Sequence, residues 1–417
     1  MKQVNVYRVP DDEPILIGTL RVDDERKATF SYSKDYLASG NPRPLALSLP
    51  CKDDIFDASD IAPYFTGLLP EGEPRERTAA ALGVDIDDYV TLLERLGHDC
   101  IGAVMFRDVN DDPSHWKADA YTPLDRGEFK KTVSELANEV ASNIASRLSL
   151  CGTQGKVGLA LINGTWCRPA AGAASTHILK TSYLRDIPEL EYCCMHAASA
   201  LGINVPETTL IDAARPVIAS KRYDRIVDAG KTPMVRRLHQ ADIAQHLGIL
   251  PNMKYAELEG GTYKSLARLL RAVSGNPAYD IDQLARIVVA NYLLGNCDNH
   301  LKNLSLIEAD GTLRLAPAYD LVSTTRFERF SREMGARIGT TRAIDDVRPH
   351  DFALLCNDLG IASKAFKRIC AQAIAVMPEA ILDAGSSECA LEATPFVAED
   401  MVEESQRRID VLREYAR

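Results

Sequence analysis

The chain has 417 residues, 46% apolar and 26% charged, with 25 Gly and 21 Pro, which excludes collagenous, mucin-like and wholly disordered classes. At about 150 residues per core, there is room for two or three. The 48 Lys and Arg against 59 Asp and Glu give a net charge of −11, spread along the chain. That balance disfavours unaided tight binding to DNA or RNA, which rests on neutralising phosphates.

No apolar run approaches the ~18 residues of a membrane span. Residues Met1 to Tyr7 alternate polar and apolar, without the apolar core or small-residue cleavage site of a signal peptide. The expectation is a cytoplasmic protein with no membrane partner. The ten cysteines include no CxxC pair and read as reduced thiols, not as a disulfide framework or a zinc site.

In chain order, Val4-Val6, Ile15-Ile17-Leu20 and Ala28-Phe30-Tyr32 alternate as strands do. Asp60 is a cap candidate for a helix through Phe65, and Glu73-Pro74-Arg75 opens a second helix. Asp85 to Leu96 is apolar at helical spacing and stops at Gly97, and Ile101 to Phe106 predicts a short buried strand. Asp108 to Ser114 is polar and rich in turn formers, so a linker is expected there. Leu124 to Ala145 predicts a helix, Ser149 to Lys180 strands and turns, and Ile187 to Leu201 a helix. Thr208 to Ile211 and Val217 to Ser220 predict strands. From about residue 238 the pattern is mostly helical, interrupted near 296–323, with helices at Ser363 to Val376 and Ala398 to Tyr415. The expected division is a β-rich module with helices over 1–110, a mixed lobe over 111–230 and a helical lobe over 231–417.

Five constellations carry chemistry. The apolar helix Leu284 to Leu294 runs into Gly295-Asn296-Cys297-Asp298-Asn299-His300-Leu301-Lys302-Asn303. So many polar groups between core residues are costly to bury unless paired or used. Asp298 and Asn303 stand five apart, the offset of the Asp and Asn in a kinase catalytic loop. There the Asp accepts the attacking hydroxyl's proton and the Asn amide oxygen holds Mg2+, while Lys302 could neutralise charge on the transferring group. Asp320 follows a short strand 22 residues after Asp298, where a kinase places a second Mg2+ ligand. Gly152-Thr153-Gln154-Gly155-Lys156 is a turn ahead of the strand Val157 to Ile162 and could wrap backbone N–H groups around phosphates, though it is neither a Walker A nor a GxGxxG sequence. The strand His177 to Lys180 ends in a lysine that could meet phosphate as a point charge. Finally, Lys221 to Arg225 and Arg236 to Gln245 form a polar cluster. Its residues His239, Asp242 and Gln245 share a helical face in this reading, as members of an internal hydrogen-bond network.

In this order, these stretches resemble the HipA family of bacterial toxin kinases. The matching runs are Tyr64 to Gly72, Ile101 to Val104, Ser149 to Lys156, Thr176 to Lys180, Lys221 to Arg225, Arg237 to Gln245, Asp298 to Asn303 and Tyr319-Asp320. The resemblance implies an α+β, bilobal protein-kinase-like fold with an N-terminal β-rich module, an all-α C-terminal lobe, and ATP and Mg2+ as cofactors. It implies Asp298 as catalytic base, with Lys302 beside it, and Asn303 and Asp320 as metal ligands. Nucleotide contacts would come from Gly152 to Lys156, Lys180, Lys221, Arg222, Tyr223 and His300. Ser149 matches a serine that members autophosphorylate. Asp224, His239, Gln240, Asp242 and Gln245 would form the structural network. Members phosphorylate serine or threonine on proteins, with aminoacyl-tRNA synthetases as targets. They are silenced by a small helix-turn-helix antitoxin of the HipB kind, through which the complex binds operator DNA. A catalytically silent nucleotide-binding scaffold and a small-molecule kinase are the competing readings.

Overall fold

A computed structural model describes residues 2–10, 13–112, 120–138, 155–170, 172–182, 184–213, 215–228 and 234–417. The chain divides into two compact units, one of residues 1–183 and 213–252, the other of 184–212 and 253–417.

Among the described residues the first unit holds two larger antiparallel sheets beside the hairpin Arg225–Asp228 with Met234–Arg237. One runs in the order Ile55–Phe56, Ala28–Tyr32, Ile15–Val22, Lys2–Arg8, Val104–Asp108. Its alternation places Val4, Val6, Leu20 and Phe30 inside, where Phe30, Phe65 and Phe106 form an edge-to-tilted aromatic chain at 5.5 and 5.9 Å. Helices Ala58–Gly67 and Tyr89–Leu96 cover that face. The caps differ from the sequence expectation. Asp57, not Asp60, accepts the free N–H groups of Ser59 and Asp60, and Asp88 caps the next helix through Thr91, so that helix starts after Asp85. The short strand begins at Val104, later than Ile101, because residues 99–102 turn through Gly102 at φ 75°.

The other sheet of this unit places Val217–Lys221, His177–Thr181, Gly155–Ile162, Thr165–Pro169 and Tyr121–Pro123 side by side. Asn163 and Gly164, both at positive φ, make the two-residue turn between Ile162 and Thr165.

The second unit is built on helices Ile187–Ala200, Thr262–Val273, Pro277–Leu294, Pro349–Leu359, Ser363–Gly385 and Thr394–Ala416. Pro277–Leu294 is apolar over most of its circumference and, like Ile187–Ala200, is buried in this unit. The unit is not all helix: antiparallel hairpins at Ser305–Ala309 with Thr312–Leu315, and at Glu333–Ile338 with Thr341–Ala343, interrupt it. The first is fastened to helix Pro277–Leu294 through Asp280, which accepts from Arg314 Nη2 at 2.9 Å and Leu315 N at 3.0 Å. No helix among the described residues is long and apolar enough to cross a membrane.

Candidate active site

Helix Pro277–Leu294 ends at Gly295, whose φ of 75° is the left-handed conformation a C-cap uses. A Cβ there would also collide with Thr325 Oγ1 and Arg408, so glycine is required twice over. The chain then turns sharply, and its first polar groups are paired. Asn296 reaches back to Asn291 Oδ1 at 2.8 Å and accepts from Asp298 N at 3.0 Å. Cys297 N donates to Thr324 Oγ1 at 2.8 Å, and Cys297 O accepts from Gly335 N at 2.7 Å. The second hairpin, which the sequence pattern did not announce, therefore braces this turn.

The consequence is a fixed pair. Asn303 Nδ2 donates to the Asp298 carbonyl at 2.7 Å, which leaves the amide oxygen as the atom of Asn303 able to ligate a cation. Asp298 is exposed, whereas Asn299, His300, Lys302 and Asn303 are buried. Its carboxylate accepts the hydroxyl hydrogen of Tyr255. Tyr319 anchors the far side, its hydroxyl donating to Lys302 O at 2.7 Å and meeting Ser305 Oγ at 2.7 Å. Asp320 follows at φ 59°, a left-handed conformation that costs a non-glycine residue strain. Burial, aided by the Lys254 and Lys302 charges and only partly opposed by Asp320, pushes the His300 pKa down to about 3. His300 is therefore neutral at physiological pH, with its edge against the Tyr255 ring at 4.9 Å between centroids.

In the first unit, the strand pairing sets Lys156 directly opposite Lys180. Gly155 precedes Lys156 at the start of the strand. Gly152, Thr153, Gln154 and Ser149 lie outside the described residues. Lys221 pairs with His177 at the other end of these strands, and by alternation its side chain faces away from that of Lys180, which pairs with Ile218.

Arg222 is placed differently from a nucleotide contact. It is buried with Asp99, Asp224, Arg225 and Arg237 in one ionic cluster. Arg222 Nε and Nη2 clasp the two Asp224 oxygens at 3.0 and 2.9 Å, while Nη1 reaches Ser175 Oγ at 2.9 Å and Asp99 at 3.3 Å. Arg225 Nη2 donates to Asp99 Oδ1 at 2.8 Å, and Gly102 N to Asp224 Oδ2 at 2.7 Å. The Arg222 side chain is thus committed to this cluster, whereas Lys221 is exposed and Tyr223 half-buried. The Tyr223 hydroxyl itself donates to Gln240 Oε1 at 2.5 Å.

The five residues expected to share one network occupy three separate places. Asp224 and Gln240 join the ionic cluster at 3.2 Å. Asp242 and Gln245 form a capping box at the start of Ile243–Leu247, and Gln245 Nε2 donates to Tyr64 O at 2.9 Å. His239 is not on that helix: it precedes the strand Gln240–Asp242, and its Nε2 meets Leu45 O at 2.8 Å. The shared helical face is thus replaced by a strand followed by a cap. Sequence reasoning also missed Asp99 and Tyr255. The bare runs His98-Asp99-Cys100 and Lys254-Tyr255-Ala256 carry no periodic or spacing signal.

Two family models cover these residues: the HipA N-terminal domain over residues 13–107 and the HipA-like C-terminal domain over 148–381. Y4mE of Sinorhizobium fredii is 35% identical over 361 residues, 85% of this chain and 86% of that protein. The serine/threonine-protein kinase toxin HipA of Shewanella oneidensis is 27% identical over 382 residues, 83% of this chain and 82% of that protein. A solved structure of the Shewanella oneidensis toxin–antitoxin system, HipA and HipB with operator DNA, aligns with a TM-score of 0.81 at 22% identity, covering 99% of this chain and 97% of that one.

Proposed function

From the premise that the chain belongs to the HipA family and has its α+β, kinase-like fold, we propose that it is an ATP- and Mg2+-dependent serine/threonine protein kinase, the toxin of a toxin–antitoxin pair. The observation that carries this reading is the locked pair Asp298–Asn303, an exposed carboxylate beside an amide whose nitrogen is already committed. Among the described residues no cluster of three His, Cys, Asp or Glu side chains is set to cage a metal. Mg2+ in phosphoryl-transfer sites keeps several waters and phosphate oxygens and needs only one or two protein ligands, so Asn303 and Asp320 suit it.

When bound, ATP and Mg2+ supply the transferable phosphoryl group and the neutralisation of its charge. Asp298 then orients the acceptor hydroxyl and takes its proton as the oxygen–phosphorus bond forms and the bridging oxygen departs with ADP. Asn303 Oδ1 and the Asp320 carboxylate would hold the metal, while Lys302 would offset negative charge on the group in flight. Lys156 and Lys180 take the nucleotide phosphates, together with Gly152 to Gly155. The backbone around Lys221, Arg222 and Tyr223 would receive the base, and His300 would serve the nucleotide as a neutral donor. Ser149 is the self-phosphorylated residue in this reading.

The acceptor is a translation protein such as an aminoacyl-tRNA synthetase, and the partner a HipB-like helix-turn-helix antitoxin through which operator DNA is bound in the cytoplasm. Residues 1–110, 111–230 and 231–417 serve as N-terminal module, nucleotide-binding lobe and catalytic lobe. The test is to incubate the purified chain with γ-labelled ATP and antitoxin-free cell extract, then identify labelled bands by mass spectrometry. Label on one protein supports the reading. Label in a small molecule points to a metabolite kinase, and ATP binding without label to a scaffold.

A further inference from the structure

We propose that Tyr255 is a positioning residue for Asp298, an inference that rests on the general-base reading of that carboxylate. Tyr255 lies between the short turn Pro251–Met253 and helix Thr262–Val273, 43 positions from Asp298 in sequence. Its hydroxyl donates to Asp298 Oδ1. The backbone around it is tied down on both sides of the phenol. The Lys254 carbonyl accepts from Leu301 N at 3.2 Å, within the catalytic turn, and the Tyr255 carbonyl accepts from Arg342 Nη2 at 2.9 Å. The ring meets the neutral His300 edge at an interplanar angle of 82°. Yet Tyr255 is 44% exposed, so burial of its ring is not what this arrangement mainly achieves.

What it achieves is orientation. The backbone of Asp298 is fixed, its N–H held by Asn296 and its carbonyl by Asn303 and His300. The terminal torsion of an aspartate is nonetheless broad, so a fixed backbone does not aim the carboxylate. A hydroxyl delivered by an anchored backbone to Oδ1 restricts that torsion. A general base must hold its accepting oxygen within hydrogen-bond reach of the proton it removes.

The test is Tyr255→Phe, which keeps the ring contact with His300 and removes only the hydroxyl, beside Asp298→Asn in the full-length chain. Initial rates of label transfer from γ-labelled ATP to a mixed-sequence serine/threonine peptide library are measured across a range of ATP. Displacement of a reacting group by ~1 Å costs about a hundred-fold, and Phe leaves most of the site in place, so a drop in kcat of about ten-fold is expected. KM for ATP and the melting temperature should stay at wild-type values. Wild-type kcat in Tyr255→Phe overturns the proposal if Asp298→Asn is inactive. A matched change in ATP KM and melting temperature overturns it too, by showing a structural role. If Asp298→Asn is as active as wild type, the general-base reading itself fails and this inference with it.

Discussion

Asp99→Ala is expected to be the most damaging single truncation in the first unit. Asp99 accepts from Ser175 N at 2.8 Å, Ser175 Oγ at 2.7 Å and Arg225 Nη2 at 2.8 Å, and lies within 3.8 Å of Arg237. The cluster sets three guanidinium groups against two carboxylates, and none of the five residues is more than 5% exposed. Losing Asp99 leaves Asp224 alone facing three buried cations. Breaking a buried pair in this way costs about 3–5 kcal/mol, because the surviving charges stay desolvated. For a unit of about 220 residues, with roughly 2–4 °C per kcal/mol, the melting temperature should fall by about 6–20 °C. Asp99→Asn keeps an acceptor for Ser175 and should fall between wild type and alanine. The pH dependence has a definite sign. Burial alone would raise the Asp99 pKa, but Arg222, Arg225 and Arg237 outweigh it and hold it at about 2. A depressed carboxylate contributes stability that is complete above its unfolded value near ~4 and is lost as pH falls toward 2. Differential scanning calorimetry from pH 7 to pH 2 should therefore show the wild-type advantage over Asp99→Asn shrinking only below pH ~4. An alanine variant melting within about 2 °C of wild type would refute the reasoning.

Asp298→Asn should lower phosphoryl transfer by ~10²–10⁴-fold while the fold melts normally, since the side chain is exposed and the amide keeps its shape; near-normal labelling of a protein acceptor would remove the assignment. Asn303→Ala and Asp320→Ala should each abolish the Mg2+-dependent increment in ATP affinity, read by titration with and without the metal. Survival of that increment in both variants would make the two residues structural. Phosphosite mapping after incubation with ATP should find phosphate on Ser149, and the added charge of about −1.5 to −2 should weaken ATP binding beside the proposed phosphate loop. Unchanged affinity of the phosphorylated form would leave the site without a switch.

The parts of this molecule legible in sequence are those whose physics is local. Period-two alternation announced Val4-Val6 and Phe30-Tyr32, and both lie in the sheet it predicted. The apolar run into Gly295 announced a helix ending in a left-handed cap. The offset of Asp298 and Asn303 was readable because a single turn of chain fixes their separation, and the structure joins them directly. Local chemistry also misled. His239, Asp242 and Gln245 fall at helical spacing, but the Asp242–Gln245 interval belongs to a capping box, where an i, i+3 relation arises at the helix entrance whether or not the preceding residues are helical.

What the sequence hid is what distance in the chain makes invisible. Asp99 meets Arg222 and Arg225 across 123 and 126 positions. No propensity scale couples a turn aspartate to two arginines so remote. Yet the segment covered by the N-terminal family model and the one covered by the C-terminal model are joined by this buried cluster. Because Arg222 spends its side chain there, the neighbouring backbone and Tyr223 are held in place by the Asp99 carboxylate, the Cys100 carbonyl and the Gly102 N–H. The N-terminal module is thus part of the scaffold on which the proposed nucleotide-binding segment is built. Its contribution to the site is positional, exerted through Asp99 and Gly102 on a strand end that neither residue resembles in sequence.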